Sequence, residues 1–230
     1  MTGKQGPSQR TVLEGVFTDA QAERGSDVYG DECAACHEGA DVDGPPLKGP
    51  QFVDRWREDT LDGLFEFIKA RMPQHSPGSL SDRAYVDILT HLLRESSYRA
   101  GPRELTVEAL SSTLFVGPDG PQQLPSNSLV SAVGCLSRNP SSEWTITRVG
   151  RETRARDGNA ITPAEASIAA GTPLGTQTFT LQNVGAGGTA LPANGIEGQK
   201  VLIKGALTRR SVGGRIHVTA AEAVAGTCGG

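Results

Sequence analysis

The chain has 230 residues, 37% hydrophobic and 21% charged, a balance that suits one or two soluble globular domains, with 29 Gly and 14 Pro making it loop-rich. No stretch approaches the ~20 consecutive apolar residues that a membrane-spanning helix needs. Of the formal net charge of −4, residues 1–102 contribute 11 basic and 17 acidic side chains and residues 103–230 contribute 11 and 9, so the acidic first half is ill suited to nucleic acid and is expected to meet its partners partly through charge.

Met1 to Arg10 is polar and lacks an apolar h-region, so residues 1–13 read as an N-terminal extension and not as a signal peptide; an exported chain would have lost its leader. Thr18, with Gln21 three residues on, reads as a capping box opening a helix through Val28 and Tyr29 toward Cys33. A second helix begins near Thr60, places Leu61, Leu64, Phe65 and Ile68 at helical spacing, and stops near Met72 because Pro73 cannot continue it. A third starts at Ser81 and stacks Tyr85, Ile88, Leu89, Leu92 and Leu93 on one face. Residues 14–100 are therefore expected to form an all-α domain of three helices around a long central loop. Gly101 and Pro102, inside Tyr98 to Glu104, mark a linker at 101–105. From 106 to 230 the period shifts to two: Leu129 to Leu136, Trp144 to Val149, Gln177 to Val184, Lys200 to Leu207 and Arg215 to Thr219 read as strands, with a short helix at Ala164 to Ala170. The expected fold class is two domains, a helical one followed by a small all-β barrel or sandwich.

Cys33-Ala34-Ala35-Cys36-His37 carries the chemistry. Two thiols one helical turn apart can form thioethers with the two vinyl groups of a haem, and the imidazole directly after them can ligate its iron from the same side. A redox Cys-x-x-Cys or half a zinc site would use the same cysteines, but no second Cys/His pair follows at finger spacing. The spacing thus predicts one covalent haem c. Met72, the only methionine besides Met1, ends a helix before Pro73 and is the expected second axial ligand, since a thioether favours ferrous iron. His75 in the same loop is the rival ligand, otherwise an exposed loop histidine. His91 reads as a half-exposed structural histidine of the third helix and His217 as a strand surface residue.

Residues 14–98 resemble a class I cytochrome c. The matching features are Gly25 and Tyr29, Cys33 to His37, the Gly44-Pro45-Pro46-Leu47-Lys48-Gly49 loop, Trp56, the Met72-Pro73 step, and Tyr85 and Leu89 of the third helix. The resemblance implies that the Pro45 carbonyl accepts a hydrogen bond from His37. It further implies that Gly25 lets the first and last helices cross closely and that Trp56 reaches a haem propionate or serves as a core tryptophan. Mitochondrial-type carriers present a lysine-rich haem edge, whereas this half is acidic, so their partners do not carry over.

The second half shows no catalytic constellation: His217 is its only histidine and no Gly-x-Ser-x-Gly elbow occurs. Gly198 to Leu207 followed by Arg215 to Thr219 resembles the closing strands of bacterial OB-like barrels. Nucleic-acid binding is disfavoured, because the arginines at 148, 151, 154, 156, 209, 210 and 215 are joined by few aromatics, Phe115, Trp144 and Phe179, which a core would claim. Cys135 and Cys228 are expected to form a disulfide.

The sequence therefore predicts a periplasmic or otherwise exported one-electron carrier with a His37/Met72-ligated haem, its β domain a docking or scaffold module. Its partners would be redox proteins, a donor dehydrogenase and an acceptor cytochrome or oxidase. A haem enzyme or sensor of peroxide, NO or CO with a displaceable Met72 is the alternative, as is an adaptor subunit of a dehydrogenase or oxidase.

Overall fold

A computed structural model of the chain describes residues 10–39, 44–184, 196–210 and 214–228. The chain divides into two compact units, one of residues 8–122 and one built on residues 123–230. Among the described residues no helix is long and apolar enough to cross a membrane.

The first unit contains β1 (Arg10–Thr11), α1 (Asp19–Glu32), α2 (Ala34–His37), α3 (Gly49–Trp56), β2 (Asp59–Thr60), α4 (Leu61–Arg71), α5 (Asp82–Glu95), α6 (Val107–Leu110) and β3 (Thr113–Phe115). Hydroxyls start the three expected helices: Thr18, Thr60 and Ser81 each accept the backbone N–H of the third residue on, from Gln21, Gly63 and Ala84. At α1 the capping box stays half made, because the Gln21 amide pairs with both backbone groups of Leu105, donating to its carbonyl at 2.9 Å and accepting its N–H at 2.8 Å. The long central loop is not featureless. Pro50 sits in the first turn of α3, where its missing N–H costs nothing, and Phe52, Val53 and Trp56 turn one face of this short helix into the core.

α1 and α5 cross at Gly25. A methyl group there would lie 1.8 Å from the Asp87 carbonyl oxygen and 3.1 Å from His91 Cβ, so only glycine allows the approach. Arg24 grips the buried Asp87 carboxylate with two nitrogens, at 3.1 and 3.2 Å, and Arg94 pairs with Glu23 across the same seam.

The boundary between the units falls at Gln122, not at the expected linker 101–105. Leu105, Leu110, Leu114, Phe115 and Val116 belong to the helical core. The Gly101 N–H donates to the Phe17 carbonyl at 2.6 Å, the Tyr98 hydroxyl donates to the Val116 carbonyl, and β3 lies between β1 and β2. Val12, Val16 and Phe17 are fully buried, so the chain joins the core before residue 14 and continues in it to Val116.

Among its described residues the second unit is a closed barrel of five strands: β4 (Leu129–Arg138), β5 (Trp144–Val149), β7 (Gln177–Gln182), β8 (Gln199–Arg209) and β9 (Gly214–Thr227). The two-residue β6 (Thr153–Arg154) adds to β4. Around the barrel the order is β4-β5-β7-β9-β8 and back to β4, antiparallel except for β7 with β9. That connectivity is OB-like, with helix α7 (Pro163–Gly171) between the second and third barrel strands. Val130, Ala132, Leu136, Ile146, Phe179, Val201, Ile203, Ile216 and Val218 alternate inward to fill it. Strand β9 runs eight residues past the expected Thr219, because its small residues stay paired with β8 through register shifts.

Candidate cofactor site

The cysteine motif sits where α1 ends. The Cys33 N–H closes α1 on the Tyr29 carbonyl at 2.9 Å, and the chain turns at once into α2, where Cys36 and His37 N–H groups both donate to the Cys33 carbonyl at 3.1 Å. Cys33 and Cys36 are therefore one turn apart, both with free thiols, the first buried and the second exposed. Burial pushes the Cys33 thiol up to about 11, so it is protonated at neutral pH.

His37 Nδ1 lies 2.8 Å from the Pro45 carbonyl oxygen. A carbonyl only accepts, so Nδ1 carries the proton and Nε2 keeps its lone pair, the tautomer an iron ligand needs. Gly44 makes this approach feasible: its N–H donates to the Cys36 carbonyl at 3.0 Å, and a side chain there would stand 2.6 Å from His37 Nδ1. Lys48, at the far end of the loop, pairs with Glu38 at 3.2 Å and with Glu95 of α5 at 3.6 Å.

Met72 caps the C-terminal end of α4. Its N–H donates to Ile68 and its carbonyl accepts the Tyr85 hydroxyl at 2.7 Å, while its side chain stays half-buried. His75 is exposed in the loop beyond. Trp56 is buried, edge-on to Phe67 at 5.2 Å, with the Arg55 guanidinium over both rings.

His91 departs from the sequence expectation: it is buried, its ring 4.7 Å from that of Tyr29, because it lies at the close crossing of α1 and α5 beside Gly25. Its Nδ1 is buried with no hydrogen-bond partner among the described residues. Burial lowers its pKa, Glu95 and Glu38 oppose that shift, and Arg94 and Lys48 add to it. Burial raises the Tyr29 hydroxyl, with Glu38, Cys33 and Glu95 contributing. No sequence signal disclosed Tyr85 as the support of Met72, or Lys48 as a bridge.

The residues present fit a c-type haem. Two thiols and an oriented imidazole stand together, and Val28, Ala34, Leu47, Phe67, Ile68 and Leu80 pack on the core of the same unit yet stay partly uncovered, apolar surface of the kind a macrocycle can bury. A zinc reading of Cys33 and Cys36 finds no support, since among the described residues no three His, Cys, Asp or Glu side chains converge into a metal site. In the second unit the aromatics Trp144 and Phe179 are buried in the barrel, and Phe115 belongs to the first unit's core, so none is offered to stacking bases. Cys135 and Cys228 are joined, S–S 2.08 Å.

A helical unit that crosses its first and last long helices on a glycine, and ends the first of them in Cys-x-x-Cys-His, defines the class: it is a class I-type cytochrome c domain, the architecture of haem-binding electron carriers. Residues 20–92 match the family model described as cytochrome c oxidase, cbb3-type, subunit III. No curated protein and no solved structure matches the chain.

Proposed function

We propose that this chain is an exported one-electron carrier in which Cys33 and Cys36 hold one haem c and His37 and Met72 are its axial ligands. The observation that carries the reading is the 2.8 Å contact between His37 Nδ1 and the Pro45 carbonyl oxygen, which puts the proton on Nδ1 and leaves Nε2 ready to coordinate. When bound, the haem supplies an iron that alternates between ferric and ferrous. The chain's own residues anchor it through the two thiols, orient the imidazole, and hold the Met72 backbone through Tyr85 so that the thioether keeps one position. Little rearrangement then accompanies the change of charge. Trp56 is the candidate propionate contact.

The barrel is proposed to dock redox partners. Residues 123–230 hold 10 basic and 6 acidic side chains, against 11 and 20 in residues 8–122, so the two units present opposite signs to a partner. A donor dehydrogenase and an acceptor cytochrome or oxidase are the partner classes this chemistry serves, and a periplasmic location suits both the covalent haem and the disulfide. Met72→Ala is the test: the haem should remain attached, the long-wavelength ferric band of methionine–iron ligation should vanish, and the potential should fall. An unchanged spectrum would move the ligand role to another residue such as His75.

A further inference from the structure

The contact between His37 and Pro45 is solvent-exposed, so water competes for both partners and the bond depends on what keeps Pro45 in place. Glu38 caps the end of α2, and Lys48, three residues past Pro45, is the N-cap of α3. Lys48 Nζ meets Glu38 and also Glu95 on α5, so one ammonium ties the residue after His37, the segment that carries Pro45, and helix α5 together. Half-exposed ion pairs contribute little to global stability. Their effect here is local, on the placement of one carbonyl.

We propose that Lys48 is a positioning residue for the iron-ligating histidine: by bridging Glu38 and Glu95 it keeps the Pro45 carbonyl on His37 Nδ1 and so lowers the reduction potential. The inference rests on His37 being an axial ligand. A stronger Nδ1–H···O bond makes the imidazole a better donor and favours ferric iron. Loosening the hold on Pro45 should therefore favour ferrous iron.

The sign separates this from a simple charge effect. Deleting a nearby cation, with two carboxylates left behind, favours ferric iron through space and lowers the potential. Loss of the clamp raises it. In the full-length ferrous holoprotein, Lys48→Gln is expected to speed solvent exchange of the His37 Nδ1 proton by about tenfold. It should also shift the ferrous/ferric ratio at fixed ambient potential about threefold toward ferrous, roughly 28 mV for one electron. Lys48→Arg should restore both, and high salt should reproduce the exchange effect in the parent but not in Lys48→Gln. Unchanged proton exchange, or a potential that falls, overturns the proposal. A His37→Ala protein that keeps a histidine-ligated spectrum overturns the underlying ligand assignment instead.

Discussion

Gly25→Ala offers the sharpest quantitative check on the helical unit. The added methyl would stand 1.8 Å from the Asp87 carbonyl oxygen and 2.4 Å from its carbon, both backbone atoms that cannot rotate aside. Restoring an ordinary contact requires α1 and α5 to part by on the order of 1.5 Å, since close-packed interiors leave no slack. Alanine regains ~1 kcal/mol of helix propensity. Against this stands the cost of overpacking against backbone, at the upper end of its range because the whole crossing must open. With the Tyr29–His91 contact and the Arg24–Asp87 pair at the same seam, the net loss should be about 3 kcal/mol, lowering the unfolding midpoint by on the order of 10 °C. Helical circular dichroism with increasing guanidinium isolates this unit, because the other is mainly β. A Gly25→Ala protein within about 1 kcal/mol of the parent would show that the helices do not meet as closely as described.

A protein ending at Gln122 should retain the helical fold and its spectrum, whereas one ending at Gly101 should be largely unfolded, having lost five buried apolar side chains from Leu105 to Val116; equal proteolytic resistance of the two would contradict the placement of the boundary. The 93-residue separation of Cys135 and Cys228 predicts that Cys228→Ser destabilises the barrel by ~4.6 kcal/mol in the chain-entropy account. Recovery of alkylated Cys135 and Cys228 from unreduced protein would remove the bond itself. Because burial lowers the His91 pKa, the unfolded chain binds its proton more readily. Stability should therefore be full above the ordinary histidine value and decline as pH falls below ~6.5, by up to about 1.4 kcal/mol per unit. His91→Phe should flatten that slope in pH-dependent unfolding curves; an unaltered slope would place the titration elsewhere.

What the sequence disclosed was local chemistry and long periodicity. The one-turn placement of Cys33, Cys36 and His37 is legible because it depends on neighbours in the chain, and α4 and α5 because Leu61 to Ile68 and Tyr85 to Leu93 repeat one face over several turns. The barrel strands can be read from alternation and turn residues, but the C-terminal part of β9 cannot, because Ala220 to Gly226 are mostly alanine and show no apolar alternation beyond the single Val224. Other features depend on distant partners. β1, β2 and β3 are two or three residues long, too short to show a period. Gln21 completes a pairing with Leu105, 84 residues away, rather than its own cap. A lone histidine between leucines gives no sign that it faces a glycine on another helix, which is why His91 read as half-exposed. The hold of Tyr85 on Met72 is likewise a fact of packing.

The three-stranded sheet of the first unit joins segments from its two ends: Arg10 pairs with Thr113 and Thr11 with Leu114, in parallel. The polypeptide thus pairs a strand close to its entry into the unit with one close to its exit, like a cassette held at one clasp. Such a module can be spliced into a loop of another protein without stretching its host, and its termini can be relocated by circular permutation with little strain. It also makes the unit's cohesion depend on its two extremities together, so that trimming either one frays both.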